Sequence, residues 1–324
     1  MRKAVSAALL ATVMMVIAAG VSADKPTFVT LGTSGSGGTY GLIGAAMAKV
    51  LNQFGNGVNV TVEATPGGGL GNVRLLGRKR LDFGIATVDN AVAAYEGIGP
   101  FEKEQYKNIR LVLFGTDLPF HVVVPGDSPI RQLTDLKGKT LVTNSAANAT
   151  MYIPETLSLF GLRKDVDYKL LNVATTEAIE AFKDGRVHAF VSYLFMPVAA
   201  LLDLTTTRTV RFLAMDEAKR RELTGRYTYY GLGKIPAKTY PGQDADIPTT
   251  TITGVLLARE EVPKDVVYRV TKALLEHTKD LQETYAAAGT FSLERQASRL
   301  KEGKVVPPWH PGAEQYFKER GLVK

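Results

Sequence analysis

Short apolar runs and helix-length amphipathic segments alternate along almost the whole chain. Strand patterns at residues 27–31 and 58–64 each run into a glycine-rich turn, and apolar helical stretches follow at 42–51 and 73–76. Further strands are predicted at 81–87, 109–114, 121–124, 140–143, 168–173, 187–192 and 251–258. Helices are predicted at 90–95, 154–160, 175–183 and 264–281. In the last, Val266, Val267, Val270, Ala273, Leu274 and Leu281 fall near helical spacing. Strand and helix in alternation predict an α/β fold with mostly parallel sheets.

The order of elements fits two lobes joined by two strand crossings, near 120–124 and 251–257. The first lobe is then discontinuous, made of 24–120 plus 252–324, and the second is 121–251.

The first turn reads Gly32-Thr33-Ser34-Gly35-Ser36-Gly37-Gly38-Thr39-Tyr40 and the second Thr65-Pro66-Gly67-Gly68-Gly69-Leu70-Gly71-Asn72. Glycine lets a backbone bend sharply and approach a ligand closely, and the helix that follows offers unpaired N–H groups at its positive end. Two such turns on neighbouring strands make a concave site suited to a small anion, with a carboxylate expected.

Residues 1–23 read as a secretory leader: Arg2 and Lys3, an apolar run of about 13 residues at 7–19, and the small-residue site Val21-Ser22-Ala23. The expected mature chain starts at Asp24 and lies in the periplasm. Its length of about 300 residues suffices for two cores. No cysteine is present, which excludes thiol catalysis, cysteine-ligated metals and a lipid-anchored N-terminal cysteine. The net charge is +7, of which Arg2 and Lys3 supply two. The basic residues are scattered apart from Arg78-Lys79-Arg80 and Lys219-Arg220-Arg221, which read as solvated helix ends, so no nucleic-acid partner is expected. No later segment is apolar and long enough to span a membrane.

Enzyme motifs fail one by one. Neither turn ends in the Gly-Lys-Ser/Thr of a phosphate-binding loop. Gly35-Ser36-Gly37-Gly38-Thr39-Tyr40 lacks the sixth-position glycine of a dinucleotide turn. Ser36 has Ser34, not glycine, two residues before it, so it is no nucleophile elbow. His121, His188, His277 and His310 have no metal-ligand spacing. His121 reads as a strand residue and His310 as a turn residue. The expectation is a binding protein with no catalytic residues, no metal and no cofactor.

Ligands in open α/β sheets sit beyond the carboxyl ends of strands. Those ends carry the candidate ligand residues Thr33, Ser34, Thr65, Thr87, Asp89, Asn144 and Tyr193, and the two glycine turns add Ser36, Gly37, Gly38, Thr39, Tyr40, Gly68, Gly69 and Asn72. Several also suit helix caps or turns, and Tyr40 and Tyr193 suit either a pocket wall or the core. Asp89 suits the start of the helix after it, and its charge opposes an anion.

These motifs, with Leu81-Asp82-Phe83-Gly84, Asp135-Leu136-Lys137-Gly138-Lys139, the run Ile235-Pro236-Ala237-Lys238-Thr239-Tyr240-Pro241-Gly242-Gln243-Asp244-Ala245-Asp246 and His310-Pro311-Gly312-Ala313-Glu314, carry a family resemblance. The chain resembles the TAXI-type solute-binding subunits of tripartite ATP-independent periplasmic (TRAP) transporters over nearly all of its mature length. The resemblance implies a two-lobed periplasmic binding protein of the second structural type, a ligand in the interlobe cleft, and TRAP membrane permease subunits as partners. It implies small carboxylates or amino-acid-like solutes, glutamate and 2-oxoglutarate among them. A monomer is expected. The alternative is a periplasmic ligand sensor docking on a signalling receptor.

Four positions depart from the family pattern. Gly69 stands where serine is usual, and Thr87-Val88-Asp89 where Gln-Ser-Asp is usual. Ala147-Asn148-Ala149-Thr150 replaces Gly-Ser-Gly-Thr, so the resemblance adds Asn148, Ala149 and Thr150 to the candidate ligand residues, and Phe195-Met196-Pro197 replaces Gly-His-Pro. Lost polar partners select strongly against ligands that need them. The solute is therefore expected to keep an anionic group at the first-lobe turns and to have a less polar far end than glutamate.

Overall fold

The computed structural model describes residues 26–34, 39–145, 147–227, 229–301 and 307–323. The expected leader and the candidates Ser36, Gly37 and Gly38 lie outside them. Three strand–helix units come first: β1 (Thr27–Thr33) with α1 (Thr39–Phe54), β2 (Val58–Ala64) with α2 (Gly68–Gly77), and β3 (Phe83–Thr87) with α3 (Val88–Glu96). The long strand β4 (Ile109–Pro125) leads to β5 (Thr140–Thr143), a π-helical turn at Asn148–Tyr152 and α4 (Ile153–Ser158). Next come β6 (Lys169–Asn172), α5 (Thr175–Lys183), β7 (Ala189–Tyr193), α6 (Ala199–Thr207), β8 (Val210–Phe212), α7 (Glu217–Arg226) and β9 (Tyr230–Ile235). A second long strand, β10 (Ile247–Arg259), precedes α8 (Lys264–Glu276), α9 (Thr278–Thr284), α10 (Leu293–Leu300) and α11 (Pro311–Glu319).

The strand order is β2-β1-β3-β10-β4-β7-β5-β6, with β9 added on β10 and β8 on β4. β4 and β10 belong to both lobes. β4 pairs with β10 as far as Pro119, opposite Thr251, and from Phe120 onward it pairs with β7. β10 pairs with β9 over its first half and with β3 from Gly254 to Ala258. A register shift between Thr253 and Val255 marks the passage between lobes. The outer pairs β1–β2, β1–β3, β5–β6 and β5–β7 are parallel, whereas every pair made by β4 or β10 is antiparallel. The sheet is thus mixed, because the chain crosses once in each direction.

Both faces of each sheet are covered, which explains the nearly unbroken apolar runs in the strands. In the first lobe, Ile85 and Leu256 pack into one layer with Met47 and Val267, while Ala86 and Leu257 pack into the other with Val73 and Ala91. In the second, Val122 and Val191 face Leu157 and Ile153, and Val123 and Phe190 face Phe182 and Leu204. Each buried side chain of this size contributes about 1.5–3 kcal/mol. The C-terminal segment returns to the first lobe, where Trp309 bridges Leu111 and meets Phe114 edge-on at 5.4 Å.

Two elements differ from expectation. The runs at 109–114 and 121–124 are one strand, because Gly115, Asp117 and Pro119 interrupt hydrophobicity but not extension. The helix expected at 264–281 breaks at His277, whose φ of −112° and ψ of 35° end α8. The His277 ring stacks on Phe54 at 3.7 Å.

Candidate functional site

Parallel pairing brings the carboxyl ends of β1, β2 and β3 to one edge. Thr33 lies opposite Ala64, and the Thr65 hydroxyl donates to the Thr33 carbonyl at 2.6 Å. The second turn is held by Asn72, which is fully buried, donates to the Ile85 carbonyl at 2.7 Å and accepts from the Thr65 hydroxyl. Gly67 and Gly68 have φ of 82° and 54°, which side chains rarely adopt, and this opens the turn ahead of α2. Ser34 sits across from Gly68 and accepts from the Gly41 amide at 3.1 Å, so it caps the first turn of α1. Thr33 is buried and donates to backbone carbonyls of Ser34 and Glu63. Thr39 is the half-buried first residue of α1.

Tyr40 follows and lies over the second turn. A Cβ on Gly69 would stand 3.3 Å from Tyr40 Cε2 and 3.2 Å from Ala86 Cα, so the glycine is what lets the ring approach. Tyr40 meets Phe195 of the second lobe edge-on at 5.3 Å. Phe195 packs against the cores of both lobes. Burial, then the charge of Asp89, pushes the Tyr40 hydroxyl far above the usual phenol range.

Thr87 and Asp89 open α3 and meet Tyr152, which ends the π-helical turn of the second lobe. Tyr152 donates to Asp89 Oδ2, and its hydroxyl lies 3.2 Å from Thr87 Oγ1. Thr87 Oγ1 also accepts from Asn90 at 2.7 Å. Asp89 is 2% exposed, and its Oδ1 has no hydrogen-bond partner among the described residues. Burial raises its pKa to about 6, against the lowering effect of hydrogen bonds from Tyr152, Thr87 and its own backbone amide, and the charge of Glu155 adds to the rise.

On the second lobe, Asn144, Asn148 and Tyr193 are drawn together by Ser192. Ser192 donates to Asn144 Oδ1 at 2.6 Å and accepts from Asn148 at 2.8 Å. Asn148 Oδ1 accepts from the Tyr193 amide at 2.9 Å, so this amide is spent on holding the loop to β7. The Tyr193 hydroxyl lies 2.9 Å from Thr156 and 2.7 Å from Thr250, inside the core. Ala149 is buried, its carbonyl accepting from Lys164 at 3.0 Å, and Thr150 is exposed.

Tyr152, Asn90, Glu155 and Tyr229 were not singled out in the sequence. Tyr229 donates to both oxygens of Glu155 at 3.0 Å and Tyr230 to one at 2.7 Å. Tyr229 touches cores of both lobes. The sequence signal was the tyrosine clustering at 227–230, with no spacing to tie it to Glu155.

The histidines lie elsewhere. His121 is buried between the Pro119 carbonyl at 2.8 Å and the Tyr240 hydroxyl at 3.0 Å, and burial lowers its pKa to about 4. His310 caps α11, its Nδ1 accepting from the Gly312 amide at 3.1 Å. Among the described residues no group of three acidic or histidine side chains is placed to hold a metal, and no helix is long and apolar enough to cross a membrane.

Solved structures share this architecture at low identity. A TctC solute-binding protein from Polaromonas aligns with a TM-score of 0.53 at 16% identity, covering 82% of this chain and 89% of that one. A Xanthomonas citri protein bound to ATP gives 0.51 at 14%, covering 92% and 100%. A Methylobacillus flagellatus periplasmic sulfonate-binding protein gives 0.50 at 17%, covering 92% and 89%. The likeness is one of fold, the two-lobed periplasmic binding protein of the second type. The model of the NMT1-like family matches residues 31–321, and the chain belongs to that family.

Proposed function

We propose that the protein is an extracytoplasmic solute receptor that binds a small carboxylate-type ligand between its lobes and delivers it to TRAP membrane permease subunits. The observation that carries the reading is the cross-lobe meeting of Tyr152 with Thr87 and Asp89, beside the glycine turn at 65–72. Two lobes that touch through polar groups at strand ends are suited to closing over a solute about the crossing strands. Family membership and the fold support a binding role over catalysis. In this reading the leader at 1–23 directs export, and the lobes are 24–120 plus 252–324 and 121–251. The solute's anionic group lies at the first-lobe turns, beside Ser34 and Gly68, since the Thr33 and Thr65 hydroxyls are engaged within the fold. Tyr40, Phe195 and the Ala147–Thr150 loop favour a less polar far end. Ligand-driven closure shifts the population toward a form the permease recognises.

A thermal-shift screen of the chain from Asp24 tests it, with small aliphatic and aromatic carboxylates, keto acids and amino acids. A ligand at 100 times its dissociation constant adds about 2.7 kcal/mol, a shift of several degrees. A shift confined to one carboxylate class supports the reading. A flat response across the panel counts against it.

A further inference from the structure

We infer that the solute presents a protonated amine to Oδ1 of Asp89, so that Asp89 sets specificity for amino acids over their deaminated counterparts. The inference rests on the receptor reading above and names the chemistry of the solute at the lobe seam.

Asp89 is buried, its Oδ2 accepts from the Tyr152 hydroxyl, and Thr87 and the residue's own amide also favour the ionised carboxylate. Oδ1 is enclosed without a partner among the described residues. A buried acceptor left without a donor carries the full desolvation penalty of that group, more so when it is charged. No Lys, Arg or His forms an ion pair with Asp89 among the described residues. The groups that face it are Tyr40 on α1, Thr87 at the start of its own helix, Tyr152 on the π-helical turn, Glu155 on α4 and Tyr229 before β9. The only other carboxylate in that set, Glu155, has the same sign and makes the position more receptive to a cation. None of the five offers positive charge.

An ammonium satisfies this position in three ways. It donates to Oδ1, it neutralises a carboxylate that burial disfavours, and it lies beside Tyr40, whose ring attracts cations. With the solute's carboxylate at the glycine turns, the ligand class is an α-amino acid with an apolar side chain. The opposite chemistry is a protonated Asp89 that donates from Oδ1 to a second carboxylate of the solute. The two differ in the sign of their pH dependence.

The test is calorimetric titration of the chain from Asp24 with L-leucine and L-phenylalanine and with their deaminated counterparts, 4-methylpentanoate and 3-phenylpropanoate, at pH 7.5 and pH 5. The expected result is preference for one amino acid over its deaminated partner on the order of 100-fold, shrinking at pH 5 as Asp89 gains a proton. Asp89→Asn, which keeps an acceptor for Tyr152, brings the amino acid down to the level of its partner. Equal or tighter binding of the deaminated acids overturns the inference and leaves the receptor reading standing, and tightening at pH 5 does so in favour of a protonated carboxyl. Binding of no carboxylate, with or without an amine, overturns the receptor reading itself. The wild-type comparison stands even if Asp89→Asn fails to fold.

Discussion

The Tyr152 hydroxyl donates to Oδ2 of Asp89, and with that bond a π-helical turn of the second lobe is tied to the first turn of α3 in the other. A hydrogen bond to a charged group contributes about 1.5–3 kcal/mol. Tyr152→Phe removes it while keeping the ring that packs against Tyr193 and Tyr230. The closed arrangement should lose about that much, and the ligand-free protein should show a larger radius of gyration in X-ray scattering. An unchanged radius and unchanged melting temperature would show that the bond does not hold the lobes together.

The raised pKa of Asp89 has a definite sign. Its folded value of about 6 exceeds the ordinary carboxyl value of 3.8, so between these the folded state binds more protons than the unfolded state. Burial of the ionised form therefore destabilises the protein increasingly as pH rises from 4 to 6, by a total of about 3 kcal/mol. Denaturation of wild type and Asp89→Asn at pH 4, 5, 6 and 7 should show the wild type losing ground by that amount. Parallel curves would contradict it.

Burial of His121 acts in the opposite direction. A pKa lowered to about 4 keeps the ring neutral in the folded state, so the stability it contributes is present above pH 6.5 and is lost as pH falls toward 4. The His121 ring resonances should hold still between pH 5 and 8 in NMR titration. A midpoint near 6.5 would refute the buried, neutral assignment.

Gly69 lets Tyr40 lie against the second turn. Gly69→Ser puts a Cβ 3.2 Å from Ala86 Cα and 3.3 Å from Tyr40 Cε2, closer than either neighbour comfortably accepts. Overpacking of this kind costs about 1–3 kcal/mol. The variant should melt lower and bind an apolar amino acid more weakly, because the ring must move. A variant as stable as wild type and unaltered in binding would show the glycine to be dispensable.

Asn72 is a structural residue of the same turn. Asn72→Ala leaves the Ile85 carbonyl without its donor and the Thr65 hydroxyl without one acceptor, a loss of about 1–3 kcal/mol. Chemical denaturation measures it, and a loss below about 0.5 kcal/mol would place the turn's stability elsewhere.

The strand–turn–helix units were legible because apolar runs and glycine turns are local signals. Thr33, Thr65 and Thr87 could be placed at strand ends for the same reason. The sequence pattern divides the crossing strand into two pieces, since Gly115 and Asp117 break the apolar run where it passes between lobes. Nothing in the sequence marks Tyr152, because the π-helical turn it ends has no periodicity to read and its partner lies 63 residues away. Asn72 and Asn148 looked like donors for a ligand, yet their hydrogen bonds run within the fold, to Ile85 and to Ser192 and Tyr193. Sequence gives the residue type at a strand end but not whether its polar atoms are already engaged.

The most direct measurement of the central claim is small-angle X-ray scattering of the chain from Asp24, titrated with the carboxylate that most raises its melting temperature. A solute held between lobes should shrink the radius of gyration in step with occupancy, and Tyr152→Phe should need more ligand to reach the same end point. Saturable binding with no change in radius at any occupancy would contradict a ligand site in the interlobe seam.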